Sequence, residues 1–106
     1  MIYITYKTNT FEMDIKGHAG HGKKGKDIVC SAVSCLFYTL GENLYENVDL
    51  LEEAPLMVDE DGSGYILSIP KDGCEEKVSL IYSVIANGMK MVADNYPKNV
   101  KFKVEE

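Results

Sequence analysis

The 106-residue chain contains no arginine, and all eleven of its basic residues are lysine. Arginine is the side chain best suited to bidentate recognition of phosphates and guanine edges. With seventeen acidic residues and a net charge of −6, the composition argues against duplex nucleic acid as the main ligand. We therefore expect no direct contact with nucleic acid.

Paired cysteines and long apolar runs are also scarce. The three cysteines, Cys30, Cys35 and Cys74, are an odd number, and no secretory leader precedes them, which argues against a disulfide scaffold. No apolar run approaches the roughly 18 residues of a membrane span, and the first residues resemble a strand rather than a targeting peptide. We expect a cytoplasmic protein with reduced thiols and no membrane partner.

The size and apolar content predict one folded domain over residues 1–106. Apolar residues make up 45% of the chain, which is enough for a core, and the mass of 11.8 kDa suits a single domain. Because so small a domain is only moderately stable alone, we expect a homodimer.

Alternating apolar and polar residues predict strands, and apolar residues three or four apart predict helices. One helix is expected over residues 28–46, with Val29, Val33, Leu36, Leu40 and Leu44 buried. A second is expected from Asp72 or Gly73 to just before Pro97, with Val78, Ile81, Ile85, Met89 and Val92 buried. Strands are expected over residues 1–7, 11–16, 55–59, 65–69 and 100–104. The order ββαββαβ predicts an α+β fold, an antiparallel sheet with both helices on one face.

Residues 16–27 differ from the rest of the chain in charge and in glycine content. They hold four lysines against one aspartate, a local charge of +3 that leaves −9 for the remainder, and both histidines lie here. Residues 17–26 (GHAGHGKKGK) contain four glycines and no periodic pattern, so they predict a mobile loop.

Cys30 is the candidate nucleophile. Asp27 is a favoured N-cap residue, which would make Cys30 the third residue of a helix. Unpaired N–H groups, the helix dipole and the basic loop all favour a thiolate there, although the charge of Asp27 opposes it. A small, buried cysteine in an apolar helix is the structural alternative.

His18 lies where the second strand ends, so its ring would be held at a fixed point. A cysteine and a histidine within hydrogen-bond reach are the minimum for an activated thiol. His21, among glycines and lysines, is interpreted as a solvated side chain. Ser34 lies one helical turn after Cys30, where it would either bond near the sulfur or allow close packing. Asp27 is interpreted chiefly as a cap.

The segments GHAG (17–20) and DIVCSAVS (27–34), around a glycine-rich spacer, resemble the ribosomal-processing cysteine protease (Prp) family. One departure is Ser31, where the family usually has alanine. The resemblance implies a bacterial, homodimeric protease that removes the N-terminal extension of a large-subunit ribosomal protein precursor, cutting after an aromatic-rich motif without a cofactor. It implies Cys30 as nucleophile and His18 as base in a dyad. The segment 19–26 is implied as the loop that admits the peptide, with Gly20, Gly22 and Gly25, and supporting roles are implied for Asp27 and Ser34.

Three alternatives remain. Residues 20–27 (GHGKKGKD) nearly match a phosphate-binding loop, but Asp27 replaces the required hydroxyl residue. A zinc site of His18, His21, Cys30 and Cys35 has no recognised ligand spacing, and no metal is expected. The third alternative is a non-enzymatic ribosome-assembly module that binds RNA through the basic glycine-rich loop.

Overall fold

The computed structural model describes residues 1–20, 22–23 and 27–106. The expected α+β class and the order ββαββαβ are confirmed, and a short 3-10 helix, Val48–Leu50, follows the first helix. The strands and helices are β1 (Ile2–Lys7), β2 (Glu12–Gly17), α1 (Ile28–Glu46), β3 (Leu56–Glu60), β4 (Ser63–Leu67), α2 (Glu75–Asn95) and β5 (Val100–Glu105).

The five strands form one mixed sheet in the order β3-β4-β2-β1-β5. The pairs β1–β2, β2–β4 and β3–β4 are antiparallel, as expected, whereas β5 runs parallel to β1 with Ile2 opposite Val100. The parallel pair follows from α2, which carries the chain from β4 across the sheet to its other edge. Such a crossover returns the chain in the same direction, which a hairpin cannot do.

Both helices pack on one face of the sheet, as predicted. Along β1, Ile2, Ile4 and Tyr6 are buried, while Tyr3 points to the open face and is 59% exposed. The bounds of α1 are those predicted, but Phe37 takes the buried place expected for Leu36, which is half-buried. On α2, Ile81 and Val92, which were expected to be buried, are half-buried, and Tyr82 and Ala86 are buried instead. The buried apolar residues of the helices are Val29, Val33, Phe37, Leu40, Leu44, Val78, Tyr82, Ile85, Ala86 and Met89.

By length and composition alone, α1 would be able to cross a membrane, contrary to the expectation from the sequence; it is the single such helix in the described part of the chain. Core helices pass the same test. Val29, Val33 and Leu40 of this helix are each at most 3% exposed, so one face of α1 packs in the core of the domain.

Candidate active site

His18 follows directly from the end of β2, where Gly17 makes a close backbone approach possible. Gly17 has a φ of +98°, and a Cβ atom there would lie 2.2 Å from the carbonyl oxygen of Met1. Only glycine avoids both the strained φ and this clash. The N-terminal ammonium of Met1 donates to the carbonyl oxygen of His18. The backbone at His18 is therefore fixed, as its place at a strand end predicted.

Cys30 lies in the first turn of α1, and Asp27 caps that turn as predicted. The Asp27 side chain is nearly buried, and its Oδ1 accepts hydrogen bonds from the backbone N of Val29 at 2.9 Å and of Cys30 at 3.1 Å. The cap satisfies two helix N–H groups that would otherwise lack partners. It also sets the position of the Cys30 thiol, which is half-buried.

The amide of Ala19 donates to Cys30 Sγ at 3.3 Å, so the residue after His18 contacts the candidate nucleophile directly. Ala19 is 2% exposed, and its carbonyl oxygen accepts from Asn99 Nδ2 at 2.9 Å. An N–H that donates to sulfur interacts more strongly when the sulfur carries negative charge. Asn99, just before β5, was not indicated by the sequence, because a side chain that bonds a backbone 80 residues away leaves no local pattern.

The His18 ring and the Cys30 thiol line the same cleft. Within residues 1–20, 22–23 and 27–106, no hydrogen bond joins these two side chains. Cys30 Sγ accepts its hydrogen bond from the Ala19 amide, and His18 Nε2 lies 3.7 Å from Oδ1 of Asp61. Catalytic hydrogen bonds often tighten only when substrate is bound. Asp61 was not indicated by the sequence as part of the site; the turn between β3 and β4 brings its carboxylate to the imidazole.

The cleft has a volume of about 820 Å³ and lies between α1 and the β3–β4 hairpin. The hydroxyl of Tyr38, in α1, donates a hydrogen bond to Asp59, in β3, and so links the two walls of the cleft. This bond raises the pKa of Tyr38. Ser34 is exposed in the cleft wall, which argues against a purely packing role. Two adjacent aromatic residues of α1 also line the cleft. Phe37 is buried in the core beneath it, and Tyr38 is exposed.

The predicted gating loop is described only in part. Gly20 and Gly22 line the cleft, and the Gly22 amide donates to Asp27 Oδ2 at 3.2 Å, which gives Asp27 a second contact beyond the cap. Gly25 and His21 lie outside the described residues, as do positions 24 and 26 of the near match to a phosphate-binding loop. The gating role of these glycines stays a prediction.

Three of the backbone donors at the start of α1 are already in use. The amides of Val29 and Cys30 bond to the Asp27 carboxylate, and the Ser31 amide bonds to the Asp27 carbonyl oxygen at 3.0 Å. An oxyanion hole needs N–H groups aimed at the reacting oxygen. Oxyanion donors drawn from Val29, Cys30 or Ser31 would thus require these hydrogen bonds to break.

The described residues contain no group of three or more histidine, cysteine or carboxylate side chains able to hold a metal ion. Cys35 is exposed and Cys74 is half-buried at the N-terminal end of α2. What the cleft does combine is one thiol, one imidazole and space for an extended peptide. A thiol and an imidazole that come within hydrogen-bond reach when substrate binds are the minimum for attack by sulfur on a carbonyl, so this cleft is a candidate cysteine hydrolase site.

Comparison with known proteins identifies the family. The model of the cysteine protease Prp family matches residues 1–101. The chain therefore belongs to the Prp family of ribosomal processing cysteine proteases.

Individual relatives agree in fold and length. The ribosomal processing cysteine protease Prp of Mycoplasma pneumoniae is 29% identical over 92 residues, which cover 87% of this chain and 85% of the relative. The ribosomal processing protease Prp of S. aureus, in complex with a covalently linked product peptide, superimposes with a TM-score of 0.79 at 23% identity, covering 99% of this chain and 100% of that one. A Streptococcus mutans protein gives 0.69 at 28% identity, covering 98% and 91%.

Proposed function

We propose that this protein is a cytoplasmic endopeptidase that removes the N-terminal extension of a large-subunit ribosomal protein precursor, cutting after an aromatic-rich motif. The observation that carries the proposal is the placement of Cys30 and His18 on one open cleft of about 820 Å³ in a member of a ribosomal processing protease family. In this proposal Cys30 and His18 form the catalytic dyad.

The chemistry requires one proton acceptor and one nucleophile. His18 takes the proton of the Cys30 thiol, and the thiolate attacks the scissile carbonyl carbon. The imidazolium then gives its proton to the leaving amine, which releases the C-terminal product and leaves a thioester on Cys30. Water, deprotonated by His18, hydrolyses that thioester and restores the thiol.

The walls of the cleft suit the proposed peptide. Phe37 and Tyr38 lie in α1 beyond Cys30, and their rings are 5.9 Å apart in an edge-to-face arrangement. The exposed Tyr38 ring is available to pair with aromatic residues of a peptide, and the buried Phe37 ring supports it from the core. On the facing hairpin, Asp59 and Glu60 carry negative charge, which favours a basic chain of the kind that binds ribosomal RNA.

The test is cleavage of a synthetic peptide that spans the extension of the precursor. Cys30→Ala and His18→Ala should each lower kcat by at least about a hundredfold, the size of typical general-base contributions. Cys35→Ala is the matched control, because this exposed cysteine lies on the same helix outside the cleft. Cleavage retained in Cys30→Ala would refute the assignment of the nucleophile.

Labelling with iodoacetamide separates the protease from an RNA-binding module. If Cys30 is the nucleophile, it should react faster than Cys35 near neutral pH although Cys35 is the more exposed of the two. Faster labelling of Cys35 would follow simple exposure and would favour the non-enzymatic alternative.

We also propose that two copies associate through the outer face of α2. Leu80, Val84 and Met91 recur there at helical spacing and are 60–65% exposed. Antiparallel pairing of two α2 helices about a twofold axis brings Leu80 of one copy to Met91 of the other, and Lys77 to Asp94. The face is therefore self-complementary in both apolar character and charge, as a twofold interface must be.

Light scattering after size-exclusion chromatography tests this association. Wild-type protein should elute as a dimer, and Leu80→Glu should give the monomer, because it places a charge within the proposed apolar contact. Ile69→Glu is the matched control, since Ile69 is an exposed apolar residue outside α2. A monomeric wild type, or a dimeric Leu80→Glu variant, would contradict the proposed interface.

A further inference from the structure

The turn between β3 and β4 encloses one edge of the His18 ring. A Cβ atom on Gly62 would lie 3.0 Å from His18 Nε2, and Oδ1 of Asp61 lies 3.7 Å from the same nitrogen. The turn is itself tied to β2, because the Gly17 amide donates to the carbonyl oxygen of Gly62 at 2.9 Å. The Gly62 backbone and the Asp61 carboxylate therefore lie on the same side of the imidazole, in a turn that is hydrogen-bonded to β2.

We propose that Asp61 and Gly62 are positioning residues for the general base. They hold the Nε2 edge of the His18 ring and leave Nδ1 as the nitrogen that receives the Cys30 proton. This inference rests on the proposed pairing of Cys30 with His18 and goes beyond it, since it assigns which ring nitrogen acts and what orients the ring.

The role of Asp61 follows from the two states of the imidazole. In the neutral ring a carboxylate beside Nε2 favours the tautomer with its proton there, which keeps the lone pair on Nδ1. After Nδ1 takes the thiol proton, the ring is positively charged and Asp61 is its counter-ion. The His18 and Asp61 side chains are 60% and 68% exposed, so the pair is weak in the open cleft and strengthens when a peptide excludes water.

Gly62 acts through its small size. Its φ of +74° strains any other residue, and an added methyl group would also press on His18 Nε2 and turn the ring. Gly73 offers a matched control, because its φ is +85° and an added Cβ would meet nothing within 4 Å. The two glycines therefore share a positive φ, and an added Cβ would contact His18 at Gly62 but not at Gly73.

The first experiment compares Gly62→Ala with Gly73→Ala in peptide cleavage and thermal unfolding. Both should lower Tm by a similar amount, on the order of 5–10 °C. Only Gly62→Ala should lower kcat, on the order of tenfold to a hundredfold, because small displacements of reacting groups cost that much. Equal kcat in the two variants would overturn the positioning role of Gly62.

The second experiment replaces the carboxylate and does not depend on the fold of the glycine variants. Asp61→Asn should lower kcat about tenfold with KM little changed, since the pair forms fully only when the ring is charged. Asp61→Glu should recover part of the loss, and Asp72→Asn, an exposed aspartate outside the cleft, should behave as wild type. A raised KM at unchanged kcat would make Asp61 a substrate contact and overturn the proposal.

The variants of the dyad distinguish failure of this inference from failure of the proposed function. If Cys30→Ala and His18→Ala abolish cleavage while Asp61→Asn and Gly62→Ala match their controls, the protease assignment stands and the positioning role is wrong. If Cys30→Ala still cleaves, the proposed dyad fails, and the role assigned to the turn fails with it.

Discussion

Asp27 joins the helix that carries Cys30 to the loop that precedes it, and its removal should weaken both. The side chain is 6% exposed and accepts from three backbone amides, those of Val29, Cys30 and Gly22. Loss of an N-cap costs about 1–2 kcal/mol, and a further hydrogen bond about 1 kcal/mol. Asp27→Ala should therefore destabilise the protein by about 2–3 kcal/mol, which lowers Tm by roughly 10–20 °C in a domain of this size.

Asp27→Asn separates the cap from the loop contact. The carboxamide oxygen can still accept from Val29 and Cys30, whereas its NH₂ group would face the Gly22 amide as donor against donor. The loss should be about 1 kcal/mol, close to that of one hydrogen bond. Thermal unfolding followed by circular dichroism gives the order of stability: wild type, then Asp27→Asn, then Asp27→Ala.

Activity should follow the cap rather than the loop contact. Measured well below Tm, kcat should fall more in Asp27→Ala than in Asp27→Asn, because a frayed first turn moves Cys30. Asp72→Ala, which removes an exposed aspartate, is the control for loss of charge. If both Asp27 variants unfold within about 1 °C of the wild type, as the Asp72→Ala control should, the cap contributes nothing measurable. The reasoning from its hydrogen bonds is then refuted.

Three other outcomes are expected. Hydrogen bonds from Thr10 and then Tyr65 hold the pKa of Glu12 below its usual 4.5. The stability that this carboxylate contributes is therefore present above pH 4.5 and is lost as the pH falls through the lower pKa of the folded protein. Glu12→Gln should flatten the fall of Tm below about pH 5. Gly64→Ala should cost about 1–3 kcal/mol in urea unfolding, because its Cβ would lie 3.1 Å from the buried ring of Phe37. KM for a lysine-containing peptide should rise with salt, since screening weakens its attraction to the acidic hairpin, and a KM independent of salt would contradict that attraction.

The elements that could be predicted were those with local signals. Asp27 followed by an apolar stripe fixed the start of α1, and the cap has the expected geometry. The start of α2 was placed at Asp72 or Gly73, two to three residues early, because Gly73 adopts a φ of +85° and the helix begins at Glu75. The parallel direction of β5 had no local signal, since it depends on where α2 returns the chain.

The same division holds at the site. Cys30 and Asp27 are three residues apart, so helical geometry alone related them, and His18 stood out at a strand end. Asp61 and Asn99 were not indicated, because their contacts with residues 18 and 19 exist only once the sheet has formed. Local sequence therefore indicated the two residues that are proposed to react, and the fold supplied the groups that contact them.

The backbone around His18 is restrained from four directions, and this decides where its remaining freedom lies. Gly17 bonds to the β3–β4 turn, the His18 carbonyl to the N-terminal ammonium, and Ala19 to both Cys30 and Asn99. These partners come from α1, from both ends of the chain and from the β3–β4 turn, so the main chain cannot shift without disturbing the core. What remains is rotation of the imidazole about its side-chain bonds, and a device that orients the base must act on the ring itself. The β3–β4 turn lies beside that ring, which is why a methyl group on Gly62 should affect catalysis as well as stability, whereas one on Gly73 should affect stability alone.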